Sequence, residues 1–165
     1  MLPVFALLVS AAVTTAPATP RGAPEYPHVR AVEPRVAEII QDGIRRSATF
    51  ARLYRSLQQT DVILFVQTSR DLPRALVGGL SLITSTPLAR YLRADIRADL
   101  PRWDMIATIA HEMQHALEIA GAYEVRDAPG VNALYRRIGR AQGAHVLETD
   151  VAYRVGLQVR AEMLA

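Results

Sequence analysis

The sequence predicts an α+β domain: an N-terminal helix, a small and mostly antiparallel sheet, a helix carrying His-Glu-x-x-His, and a C-terminal helix. Three observations carry that expectation. Apolar residues recur at three- and four-residue spacing up to about residue 58, then switch to short β-rich runs from residue 61. A segment near residues 102–120 is apolar around most of a helical circumference, as a buried helix is. The chain has 165 residues, 50% of them hydrophobic and 21% charged, which suffices for one packed core and argues against wholesale disorder.

Taken in order, the chain opens with an almost wholly apolar run from Leu2 to Val13, followed by Ala16-Pro17-Ala18. A short apolar run before a small-x-small site reads as a signal peptide over residues 1–18, so a secreted or periplasmic location is expected. The run is too short for an ordinary membrane-spanning helix, and no later apolar stretch approaches that length. Residues 19–33 hold Pro20, Pro24, Pro27 and Gly22 and read as a linker outside the core, with His28 solvated within it. The folded domain is expected over residues 34–165.

Val36, Ile39, Ile40, Ile44, Ala48, Ala51 and Tyr54 define one amphipathic helix from Pro34 to about Gln58, weakened at Gly43. Asp61 to Thr68 is a β-rich apolar run and reads as a strand. Leu76 to Thr84 is a second, in which Gly78-Gly79 marks a bulge or a close backbone approach. Tyr91 to Arg97 alternates and is a third strand, after a turn at Thr86-Pro87, so the three suggest an antiparallel meander. The next helix runs from about Arg102 to Ala120, with Asp99 as its cap, Pro101 in its first turn and Gly121 at its end. Trp103, Ile106, Ala107, Ala110, Gln114 and Leu117 form one stripe of it. Asp104, Thr108, His111, His115 and Glu118 line another side. Val131 to Ile138 is a short helix, and His145 to Leu164 reads as the last one.

Residues 111–115, His-Glu-Met-Gln-His, carry the chemistry. Random placement of 4 His and 8 Glu in this chain would give about 0.005 occurrences of the pattern. Four residues make about 400° of helical turn, so His111 and His115 project from nearly the same side and can share one zinc ion. Glu112 sits beside the metal, where it can hold and deprotonate a metal-activated water.

Composition narrows the alternatives. There is no Cys, which excludes thiolate zinc sites, disulfides and cysteine nucleophiles. All 19 basic residues are Arg, scattered from Arg21 to Arg160, and the net charge is only +3. That is a mildly basic surface without a nucleic-acid-binding stripe.

The layout of helix, small sheet, His-Glu-x-x-His helix and C-terminal helix resembles the zincin metallopeptidase superfamily over residues 34–165. The residue-level resemblance is confined to the motif and the segment C-terminal to it. It implies peptide-bond hydrolysis with one zinc ion per chain, a peptide or protein substrate, and Glu112 as the general base. It also implies that an edge strand ahead of the motif helix receives extended peptide, here either 76–84 or 90–97. Glu118 and Gly121 stand where a metzincin would have Gly and His, so the resemblance is to the gluzincin class, whose third ligand is a later Glu.

Glu148 is the expected third ligand, because it interrupts the stripe Leu147, Val151, Ala152, Val155, Val159 and Met163, and a carboxylate among apolar residues needs a partner or a metal. His145, Asp150 and Glu118 are the alternatives; Glu118 lies about 4.5 Å beyond His115 along the helix axis. Glu124 and Asp127 fall in a turn. The gluzincin Asp four residues after the Glu is replaced by Ala152. That leaves Thr108, Asp104 or Glu118 to orient a ligand histidine. Tyr135, Arg136, Arg137 and Tyr153 are candidate donors to an oxyanion. The competing expectation is a non-catalytic zinc-binding or protein-interaction domain of the cell envelope.

Overall fold

The computed structural model describes residues 26–141 and 147–165. The expected signal peptide lies outside them, as does His145. Among the described residues no helix is long and apolar enough to cross a membrane. The architecture is α+β, with a four-stranded sheet covered on one face by helices.

The first strand, β1 (Val29–Ala31), arises inside the stretch expected to be linker. Val29 is buried and β1 pairs in parallel with β2 (Val62–Ser69), so the core begins before residue 34. His28 is correspondingly half-buried, its carbonyl accepting from Leu64 N–H at 2.7 Å. The single N-terminal helix expected over 34–58 is two, α1 (Pro34–Arg46) and α2 (Ala48–Leu57). Ser47 between them is extended and caps α2 by accepting from Phe50 N–H at 3.0 Å. The break lets the Phe50 ring lie against Gly43, where a Cβ would come within 2.8 Å of it.

The sheet differs from the expected meander. Its order is β1-β2-β4-β3, with β3 at Gly78–Ser85 and β4 at Arg90–Arg97. The β1–β2 and β2–β4 pairs are parallel and only β3–β4 is antiparallel. Most pairing is therefore parallel. The physical reason is that β2 and β4 are the strands with alternately buried residues: Val62, Leu64 and Val66 beside Leu92, Ala94 and Ile96. They take the interior of the sheet, while the glycine-bearing β3 is left at an edge.

Helix α3 (Arg102–Gly121) packs its apolar side on β2, β3 and β4 and the other side on α5 (Asp150–Leu164). Its N-cap is Pro101 with no side-chain cap, so Asp99 does not serve as expected; Asp104 supplies the acidic group of the first turn. Trp103, expected on the buried stripe, is exposed. Between α3 and α5 come α4 (Ala128–Ile138) and a two-stranded pair, β5 (Arg140–Ala141) with β6 (Leu147–Glu148).

Candidate metal centre

Helix α3 places its two histidines as the spacing dictates, one turn apart, with ring centroids 4.7 Å from each other. Glu148 completes the group. Its Oε2 lies 3.1 Å from His111 Nε2 and its Oε1 lies 3.3 Å from His115 Nε2. One ligand atom from each of the three residues falls within 4.8 Å of the others, a grouping able to hold a metal ion. Two imidazoles and a carboxylate are a donor set that divalent transition metals accept.

Glu148 arrives there by a different route from the one expected. It is not on the last helix but on β6, paired with Arg140 of β5. The helix starts later because Thr149 caps it, its hydroxyl accepting from Ala152 N–H at 3.1 Å. Thr149-Asp150 is a helix-start signal that reads off the sequence, a capping residue followed by an acidic first turn.

The other candidates separate cleanly. Asp150 pairs with Arg140 at 2.8 Å and Asp104 with Arg160 at 2.8 Å. Thr108 donates to the Asp104 carbonyl. Asp127 caps α4 through Gly130 N–H, and Glu124 is exposed beside Arg137. Glu118 turns to His115: its Oε2 accepts from Nδ1 at 2.8 Å. A proton held on Nδ1 by this bond would leave His115 Nε2 as the nitrogen that meets a metal ion once its own proton is displaced. Tyr135 is buried with its hydroxyl on the His115 carbonyl at 3.1 Å and its ring edge-on to His115 at 5.2 Å. It packs on His115 with its hydroxyl engaged there, and it also lines the cleft. Arg136 and Arg137 are exposed away from the cleft, whereas Tyr153 lines it.

Electrostatically, the cluster favours positive charge at its centre. Burial opposes the charge on His115, but Glu118 and Glu148 outweigh it and raise its pKa to about 9. Burial would raise the Glu148 carboxyl, yet His111 and His115 bring it down to about 2. Glu118 is likewise held below the usual range against its burial by His115 and Thr149. Glu112 goes the other way. It is 4% exposed, and loss of solvent raises its pKa despite the neighbouring histidines.

A cavity of about 700 Å³ opens onto these residues, with Leu80, Leu100, Val131, Leu147 and Leu157 among its walls. One margin is β3. Val77 carbonyl accepts from Arg97 N–H at 2.9 Å and Gly79 stands opposite Asp95, so these residues bond inward to β4. Antiparallel alternation then turns the backbone groups of Gly78 and Leu80 outward, along the free edge. At Gly78 the strand passes so close to α3 that a Cβ would lie 2.6 Å from both Glu112 Oε1 and Thr108 Cγ2. The sequence pattern does not identify Gly78 as a neighbour of Glu112, although its glycine pair marks a close approach.

No family model, curated protein or solved structure matches this chain.

Proposed function

We propose that this protein is an exported zinc-dependent peptidase whose general base is Glu112. The observation that supports it best is the convergence of His111, His115 and Glu148 beside a buried Glu112, in a cleft bordered by a free strand edge. The zincin resemblance of the motif and the export-like N-terminus point the same way. An extended peptide lies along β3, its main chain bonded to the outward groups of Gly78 and Leu80, which brings one carbonyl over the ligand cluster. His111, His115 and Glu148 would hold a zinc ion, which would supply Lewis acidity and lower the pKa of water there. Glu112 takes one proton from the water as its oxygen adds to the carbonyl carbon. It returns that proton to the amine nitrogen as the C–N bond breaks, leaving a carboxylic acid and an amine.

The test is zinc content and peptide hydrolysis of the untagged chain. We expect one zinc per chain, lost in His111→Ala and in Glu148→Ala. Glu112→Gln keeps the zinc and loses about 10²–10⁴-fold in turnover. Zinc retained without hydrolysis of a diverse peptide set would favour a non-catalytic zinc domain, and absence of zinc would remove the proposal.

A further inference from the structure

His115 is gripped on the side away from the cluster by groups that also hold Glu148. Its Nδ1 donates to Glu118 Oε2 at 2.8 Å, and the second oxygen of the same carboxylate accepts from Thr149 Oγ1 at 2.7 Å. The Thr149 hydroxyl has one proton, given to Glu118, and its oxygen accepts from Ala152 N–H at 3.1 Å. Its own backbone N–H donates to Glu148 Oε1 at 2.8 Å. Every donor and acceptor of Thr149 in this set is therefore committed in one direction. A continuous chain of bonds runs from the His115 ring through Glu118 and Thr149 to the carboxylate that faces His115 from the other side.

We propose that Glu118 and Thr149 are a positioning pair that locks the His115 tautomer and fixes the distance between the second and third metal ligands. The inference rests on the metal-site reading above. It assigns the orienting carboxylate to the motif helix itself, three residues beyond His115, and its anchor to the cap of α5. The need for such a link arises from where Glu148 sits. A ligand on a two-residue strand has no helix of its own to hold its direction, so its position relative to α3 depends on side-chain bonds between the segments. Thr149 makes that bond from the adjacent residue. The β-branched side chain has few rotamers to lose and delivers its hydroxyl with little conformational cost.

The experiment measures zinc affinity by competition with a chelator, the visible spectrum of the cobalt-substituted chain, and the melting temperature of the metal-free chain. The variants are Glu118→Ala, Thr149→Val and Thr149→Ser. Glu118→Ala and Thr149→Val are expected to lose about 10–100-fold in zinc affinity, with an altered cobalt spectrum, while Thr149→Ser restores both. If Thr149 were only a helix cap, Thr149→Val would lower the metal-free melting temperature and leave the cobalt spectrum of the folded chain as in the parent. That result, or zinc affinity in Glu118→Ala within about threefold of the parent, overturns the proposal. Should Glu118→Ala fail to fold, the Val and Ser variants of Thr149 decide by the same readouts. A parent chain that holds zinc but cleaves no peptide defeats the peptidase reading alone, and the affinities still judge this one; a parent that binds no zinc defeats both.

Discussion

The neighbouring glycines Gly78 and Gly79 offer a perturbation with its control built in. They alternate across the edge strand, so a methyl group at each enters a different environment. At Gly79 an added Cβ meets nothing within 4 Å. At Gly78 it meets Glu112 Oε1 and Thr108 Cγ2, both at 2.6 Å, where ordinary contact begins at 3.4 Å. Something must move by about 0.8 Å to restore normal van der Waals separation. Thr108 resists, being β-branched and fixed by its hydroxyl on the Asp104 carbonyl at 2.8 Å. The strand is tied to β4 by its ladder. The freest atoms are those of the Glu112 carboxyl, and they are the proposed base.

A displacement near 1 Å of a catalytic group costs on the order of 10² in rate. Gly78→Ala is thus expected to lower kcat/KM by about 30–100-fold, equivalent to about 2–3 kcal/mol of transition-state stabilisation. Zinc content stays at the parent value, because none of the three ligands is displaced. Gly79→Ala is expected to remain near the parent. Steady-state hydrolysis of one peptide by the three proteins, each with zinc quantified, is the assay. Activity of Gly78→Ala within threefold of the parent would refute the placement of Glu112 as base against this strand. Equal losses in both variants would show damage to the strand edge in general.

Two further predictions concern what holds the scaffold around the site. Arg90 is fully buried, forks onto both Asp61 oxygens and donates to the carbonyls of Ile119, Ala120, Ala122 and Val125 at the end of α3. Arg90→Met is expected to cost about 3–5 kcal/mol in urea unfolding, chiefly because it strands several carbonyls, while Asp61 keeps Arg126 at 3.2 Å. A loss below about 1 kcal/mol would show that water replaces the guanidinium. Glu162 accepts from Ser47, from Thr49 N–H and from Thr49 Oγ1 at the start of α2. Its burial alone would raise its pKa, but these bonds and Gln158 hold it at about 2, below the ordinary 4.5 of a free glutamate. A depressed carboxyl adds stability above its unfolded pKa and loses it as pH falls from about 4.5 toward 2. Glu162→Gln should therefore destabilise by about 1 kcal/mol at pH 7, the scale of a lost helix cap, with the difference from the parent shrinking below pH 4.5. A pH-independent difference in melting would contradict the charge-based account.

Periodicity made β2, β4 and the motif helix legible, because each has its own buried face and its own apolar spacing, whereas β3, with no fully buried residue, was marked by its apolar run and glycine pair. The pairing order was not legible. β1 contributes only three residues from a proline-bearing stretch, and its value lies in a parallel contact with β2 more than 30 residues away. The single N-terminal helix became two at Ser47, a capping residue whose role depends on Phe50 reaching Gly43. Arg90 reads in the sequence as an ordinary polar position at the start of a strand. Only the fold brings the carbonyls at the end of α3 to it. Glu118 was recognisable as one of three residues able to orient a histidine, and the choice among them needed the partners of Asp104 and Thr108.

Glu148 shows why a wrong element can still lead to a residue that joins the two histidines. The expectation put it on a helix, as the odd carboxylate in an apolar stripe. In the fold that helix starts at Asp150, and Glu148 lies in the strand just before its cap. The energetic premise does not depend on the element, because a half-buried carboxylate needs compensating partners whatever its backbone does. Those partners are His111, His115 and the N–H of Thr149. What the helical assumption hid was the means of support. A helix would have fixed Glu148 through its own backbone, whereas a short strand leaves that task to the cap residue beside it. The cap hydroxyl, in turn, reaches Glu118 and through it the ring of His115. The departure from the helical expectation and the assignment of the positioning pair thus have one physical origin.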